Sequence, residues 1–200
     1  MRTYSHAALS WAVARLAAPH EVGVAAWGAA GAVLPDLPAV AGAVWLFARR
    51  RRLDRGQFND EVCAKGSFAG TDAALHSAIL VGPFLVSFWT YTSRGPKRYK
   101  LLLALLVGWT GHIVADVLTH AQDARPILWP LSERRLQSPV SYWDRSRHAR
   151  SFTVVEHAML LLLASRAISH RVRTSRSSGA GSPDTRGEGQ AAERWRWNYS

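Results

Sequence analysis

The sequence predicts an all-α, membrane-embedded bundle of about four to five helices followed by a disordered C-terminal tail. Three observations predict it. Long apolar blocks recur: residues 73–93 and 101–115 contain no Asp, Glu, Lys or Arg, residues 22–48 contain only Asp36, and residues 152–165 contain only Glu156. The net charge of +11 therefore sits almost wholly in the connectors, a distribution that suits a membrane protein better than a nucleic-acid binder. No stretch alternates apolar and polar residues with β-branched enrichment, so strands have no signal.

Residues 3–18 are Ala-rich and read as a short helix, with Thr3 and Ser5 as candidate caps. Their apolar run is short for a secretory leader and ends at Arg15, so no cleaved signal is expected. Residues 22–48 hold Pro35 and Pro38 near their middle. A proline inside a helix loses a hydrogen bond and crowds the preceding turn, so two helical pieces joined at Leu34-Pro35-Asp36-Leu37-Pro38 are expected. Residues 49–72, opening with Arg49-Arg50-Arg51-Arg52, read as a polar loop. Residues 73–93 are long enough to cross ~30 Å of hydrocarbon, with Pro83 as a point of kinking. A turn at Ser93-Arg94-Gly95-Pro96-Lys97 leads to a helix over 101–120, and the basic connector 94–100 is placed on the cytoplasmic side. Residues 121–151, rich in Pro, Arg and Trp, are irregular, and 152–170 form the last apolar helix. The expected division is a membrane-associated helical domain over 1–170 and a polar tail over 171–200, whose composition cannot bury enough apolar surface to order itself.

A single cysteine, Cys63, excludes an internal disulfide. Of the nine tryptophans, Trp27, Trp45, Trp89, Trp109 and Trp129 lie in or beside the apolar blocks. Interfacial anchoring and ordinary core packing explain them equally.

Ionisable groups inside apolar segments are costly and usually functional. His112 and Asp116 form the strongest pair, because an i, i+4 spacing puts both on one helix face, where an imidazole and a carboxylate can meet one Zn²⁺. His120 follows four residues later as a third ligand or an outer partner. His76 lies near the start of block 73–93 and His112 near the end of 101–120. If the turn at 94–100 makes these blocks antiparallel neighbours, a rise of 1.5 Å per residue brings both imidazoles to about the same level. Asp36, between two prolines, is either a ligand presented by the helix break or, more simply, a turn residue capping the next helix. His6 reads as a ligand or as an exposed N-terminal histidine. Glu156 reads as a general base, a further ligand, or a first-turn acid complementing the helix dipole. There is no zinc-finger spacing, recognition helix, Gly-rich phosphate loop or G-x-S-x-G elbow. Nucleic acid is therefore not an expected partner.

With these motifs in hand, the chain resembles the predicted membrane-bound metal-dependent hydrolases, also described as LexA-binding, inner-membrane-associated hydrolases. The resemblance runs through Ser5-His6-Ala7, Leu34-Pro35-Asp36, Leu75-His76-Ser77, Gly111-His112 to Ala115-Asp116, and Thr119-His120. It continues through Trp129-Pro130-Leu131-Ser132 and Ser138-Pro139-Val140-Ser141-Tyr142-Trp143, covering about residues 3–145. It implies a multi-pass protein of the bacterial inner membrane with a divalent-metal site built from His6, Asp36, His76, His112 and Asp116. The order is similar to that of zinc-dependent phospholipase C, an all-helical enzyme. That enzyme's later His and HxxxE ligands have no counterpart here, so one or two ions are implied rather than three. The expected activity is hydrolysis of a phosphoester or other ester, of a small molecule or of a membrane lipid, by metal-activated water with Zn²⁺ as the ion and Glu156 as the base. The alternative is a non-catalytic membrane protein with a structural metal or a partner-docking role.

Overall fold

The computed structural model describes residues 1–50, 58, 60, 62, 66–92 and 97–179. Among them are α-helices and 3-10 turns and no strand. The helices are α1 (Thr3–Ala17), α2 (Val22–Val33), α3 (Leu37–Arg50), α4 (Ala69–Leu75), α5 (Ala78–Thr92), α6 (Lys97–Thr119) and α7 (Ala149–Gly179). The chain clusters into two units, Met1–Leu160 and Leu161–Ser200. The first holds α1 to α6 and every group considered below; the described part of the second, 161–179, is helical. Helix α7 thus runs through the boundary expected at residue 170. The stretch 180–200, the Arg51–Arg52 end of the basic run, Cys63 and the turn 93–96 lie outside the described residues.

Three helical stretches are long and apolar enough to cross a membrane: Val22–Arg49, Ala69–Tyr91 and Tyr99–Thr119. The first is interrupted where the prolines require it, by a 3-10 turn at Leu34–Asp36 that carries Pro35 in its first turn. The second corrects the expectation of a single span kinked at Pro83. It begins within the expected polar loop, as α4, and breaks at His76-Ser77, while α5 continues past Pro83. Ser77 explains the break. Its Oγ accepts from the Leu80 amide at 3.3 Å, capping α5, and it also donates to the Trp129 carbonyl. Capping of α1 departs from expectation as well. The N-cap is Arg2, without a side-chain cap; Thr3 donates instead to Asp36, and Ser5 is buried.

Helices α5 and α6 are antiparallel neighbours, as the sequence predicted. Phe88 meets Tyr99 at one end, and the Trp109 indole donates to the Leu75 carbonyl at the other. Between these contacts Val81, Leu106 and Ile113 form a small apolar core. Helix α2 packs on α6 backbone to backbone. A Cβ on Gly31 would come 1.9 Å from the Leu105 carbonyl oxygen, and one on Gly108 would come 2.0 Å from that of Gly28. Small residues permit such close approach between membrane helices. Trp27, Trp45 and Trp89 stay exposed, on surface available to lipid, whereas Trp109 packs inside. The loop after α6 folds back on that helix: the Ser138 amide donates to the His120 carbonyl at 2.8 Å, and the Tyr142 amide to that of Thr119 at 3.2 Å.

Candidate metal centre

Two helix irregularities and one helix face converge. The turn between α2 and α3 presents Asp36, the break between α4 and α5 presents His76, and α6 presents His112 and Asp116 one turn apart. One ligand atom from each of these four residues lies within 4.8 Å of all the others. His112 Nε2 is 3.1 Å from Asp116 Oδ2 and 3.6 Å from Asp36 Oδ1, and His76 Nε2 is 3.6 and 4.0 Å from the same two oxygens. Ligands at 2.0–2.2 Å around a tetrahedral ion stand about 3.3–3.6 Å apart, so the four atoms are close to coordination spacing.

Hydrogen bonding fixes which nitrogen of each ring faces the cluster. His76 Nδ1 lies 2.8 Å from the Asp72 backbone carbonyl, and His112 Nδ1 lies 2.7 Å from that of Ala32. A carbonyl oxygen only accepts, so each Nδ1 carries hydrogen and each Nε2 is left to face the acids. His112 Nε2 is buried and makes no hydrogen bond, despite its proximity to Asp116. Two imidazole nitrogens and two carboxylates, all but Asp36 buried, make a set of donor atoms that could hold a cation. Asp72 and Ala32 therefore orient the rings as outer partners of metal-binding histidines do. The Ala32 carbonyl is within reach because Gly31 lets α2 settle against α6.

Asp116 faces two ways. Its Oδ2 belongs to the set above, while its Oδ1 lies 2.9 Å from His6 Nε2, 3.1 Å from His120 Nε2 and 3.2 Å from the Met1 ammonium. His6 is buried and stacks on His112 with ring centroids 3.9 Å apart, so the reading of an exposed N-terminal histidine is overturned. His120 leans on Asp123, with Nδ1 2.8 Å from Oδ2. Asp123 also accepts from the Trp143 indole at 2.7 Å. Burial pushes the Asp123 carboxyl up, but its bonds with His120 and Trp143 outweigh that and hold it below the usual carboxylate range. Arg125 joins the two outer acids. Its Nε donates to Asp72 Oδ2 and its guanidinium to the Asp123 carbonyl, each at 2.5 Å.

Asp36 keeps neither of its simple alternatives alone. It stands in the turn before α3, and its carboxylate enters the cluster while accepting from Thr3. Glu156 is placed differently. Its buried carboxylate is engaged by Arg2, whose amide donates to Oε1 at 3.2 Å and whose guanidinium pairs with Oε2. Since α7 begins at Ala149, Glu156 is not in a first turn, and the helix-dipole reading falls. His157 bonds Tyr4 and the Thr153 carbonyl, away from the cluster. Asp72, Asp123 and Arg125 went unnoticed in the sequence. The i−4 spacing of Asp72 from His76 and the i+3 spacing of Asp123 from His120 were the signals available.

A pocket of about 470 Å³ opens onto the acidic side of the cluster, lined by Asp36, Asp116, His120, Asp123, Arg125 and Tyr142 among others. The Tyr142 hydroxyl is raised by burial and by the nearby Asp123 carboxylate, so it stays protonated and able to donate. The chain belongs to the YdjM inner membrane protein family, whose profile matches residues 1–175. It is accordingly an inner-membrane protein, in agreement with its three membrane-length helices. No curated protein and no solved structure matches it.

Proposed function

We propose that this protein is a membrane-bound metal-dependent hydrolase acting on a phosphoester. The observation that carries the reading is the buried His112 Nε2, without a hydrogen bond and aimed at Asp116 and Asp36. Asp36, His76, His112 and Asp116 would hold one divalent ion, for which Zn²⁺ suits the mixed nitrogen and oxygen donors. Asp116 Oδ1 with His6 and His120 would hold a second once the Met1 ammonium, which stands against the same oxygen, is displaced. When bound, such an ion supplies Lewis acidity and lowers the pKa of a water ligand towards ~7. The residues around it do the rest. Asp72 and the Ala32 carbonyl hold the rings, Asp123 holds His120, and Arg125 and Tyr142 supply donors on the pocket side for an anionic substrate. Glu156 enters as the acid that pins Arg2 beside the site, and the role of base expected from sequence is tested on the same variant below.

A non-catalytic structural ion is the second reading, and one observation favours it: four protein donors at tetrahedral spacing make a closed set. Access favours catalysis, because Asp36, Asp116 and His120 all line the 470 Å³ pocket. The experiment is metal content and phosphodiester turnover on detergent-purified full-length protein, before and after chelation and zinc restoration. Stoichiometric metal with zinc-dependent turnover supports the hydrolase. Metal without turnover supports the structural ion, and wild type purified without bound metal overturns both.

A further inference from the structure

The cluster has a second side. Between α1, α2 and α6 runs a groove of about 560 Å³, with walls that include Leu9, Val13, Val24, Leu103, Ala104 and Val107. One end is formed by His6 and His112 of the cluster. The other is formed by Glu21 and Lys100, an ion pair at 3.3 Å. Along α6 the distance from His112 to Lys100 is about 18 Å at 1.5 Å per residue. Val13, Trp89 and Val107 line this groove and remain 53%, 66% and 43% exposed. Trp89 and Val107 belong to stretches of membrane-spanning length, so the groove opens to surface that lipid covers. The polar pocket holding Asp36, Asp116 and Arg125 meets the same cluster from its other face.

We propose that this groove binds the hydrocarbon chain of an amphiphilic phosphoester whose head group occupies the polar pocket. The identity of the head as a phosphoester rests on the hydrolase reading above; the chain site rests on the groove. Chemistry and shape divide at the cluster. Charged and hydrogen-bonding groups line one cavity, aliphatic groups line the other, and a molecule that fills both must be polar at one end and apolar along about 18 Å of the other. A wholly soluble ester would leave the groove empty, and a neutral lipid would place no charge in the pocket that Arg125 and Tyr142 line. Entry is sideways from the bilayer, with the chain never leaving an apolar medium.

Gly111 allows a direct test. It lines the groove beside His112, and a Cβ built on it meets no atom within 4 Å. Gly111→Leu would therefore fill the groove near the cluster without a clash, at a helical position where leucine is the better helix former. The probe is a long-chain alkyl phosphonate, which cannot be hydrolysed, with a photoreactive diazirine at the far end of its chain. Zinc-loaded full-length protein in phosphatidylcholine vesicles is cross-linked and the adducts are mapped by mass spectrometry. Adducts should concentrate on peptides containing Glu21–Val24 and Lys100–Ala104. Gly111→Leu should lower them at least about tenfold, the effect of keeping roughly two methylene groups out of an apolar site. Val107→Phe, one turn farther along, provides a second block, and metal content of each variant reports whether the cluster is still assembled. Adducts spread equally over exposed positions such as Val86 and Leu118, or unchanged in both variants, overturn the chain site. Turnover of a short-chain phosphodiester is measured in parallel. If it persists while the adducts scatter, the groove proposal falls and the hydrolase stands; if it is absent while the adducts map to the groove, the hydrolase falls and an amphiphile-binding site remains.

Discussion

Helices α6 and α7 are both long and both carry ionisable groups beside an apolar stretch, yet these reach opposite outcomes. On α6, His112 and Asp116 are enclosed by α1, α2 and the α4–α5 break, each of which delivers a further imidazole, carboxylate or carbonyl. On α7, Glu156 meets one complementary cation, Arg2, and Val154 and Val155 remain exposed. An acid matched by a guanidinium is satisfied. On α6 the Met1 ammonium reaches only Asp116 Oδ1, and Asp116 Oδ2 and Asp36 Oδ1 face imidazole nitrogens instead. A buried charge in an apolar helix thus becomes a candidate site when the groups around it supply donor atoms rather than a matching cation.

Six substitutions test this contrast. His112→Ala and Asp116→Ala should show the largest effect, each lowering metal affinity beyond the roughly 10–100-fold typical of outer-partner changes, because each removes a donor from the same helix face. Equilibrium metal content by mass spectrometry reads this directly, and full occupancy in His112→Ala would reduce the cluster to packed polar residues. Glu156→Gln should act on stability instead. Breaking its pair with Arg2 should cost about 2–3 kcal/mol, less than for a fully dry pair because the Arg2 side chain is 29% exposed. Thermal unfolding in detergent measures the loss. Retained stability and metal with lost turnover would instead make Glu156 the base, as the sequence suggested.

Asp72→Asn and Asp123→Asn probe the outer acids. Asp123→Asn should weaken metal binding about 10–100-fold, since it removes the anion that holds His120. Asp72→Asn should weaken it less, because His76 leans on the Asp72 backbone carbonyl rather than on its carboxylate. Equal effects in competition with a chelator would show that Arg125 couples the two acids more tightly than the contacts imply. Smallest is Lys100→Ala at the far end of the groove. Its ion pair with Glu21 is solvent-exposed and should contribute under about 1 kcal/mol to stability, a difference within reach of paired unfolding curves.

Much of this was legible because it is local. Charge-free blocks mark helices for an apolar medium regardless of their neighbours, Pro35 and Pro38 interrupt whatever helix contains them, and an i, i+4 His–Asp pair shares a face in any helix. The break at His76-Ser77 was less visible, because it depends on a serine that both caps α5 and bonds the distant Trp129 carbonyl. Pro83 is the stronger local signal for a break, yet the helix continues past it.

An all-helical membrane protein with histidines and aspartates in its apolar blocks follows from composition and periodicity, which act over one or two turns. Tertiary structure alone decided which of those groups are short of a partner. His6 is buried only because α1 lies against α6, and His112 finds the Ala32 carbonyl only because Gly31 and Gly108 let two backbones touch. Glu156 is neutralised only because Arg2 reaches it across 154 residues of chain. Whether a buried charge is satisfied is a property of the whole surrounding shell, and that shell is assembled from segments far apart in sequence.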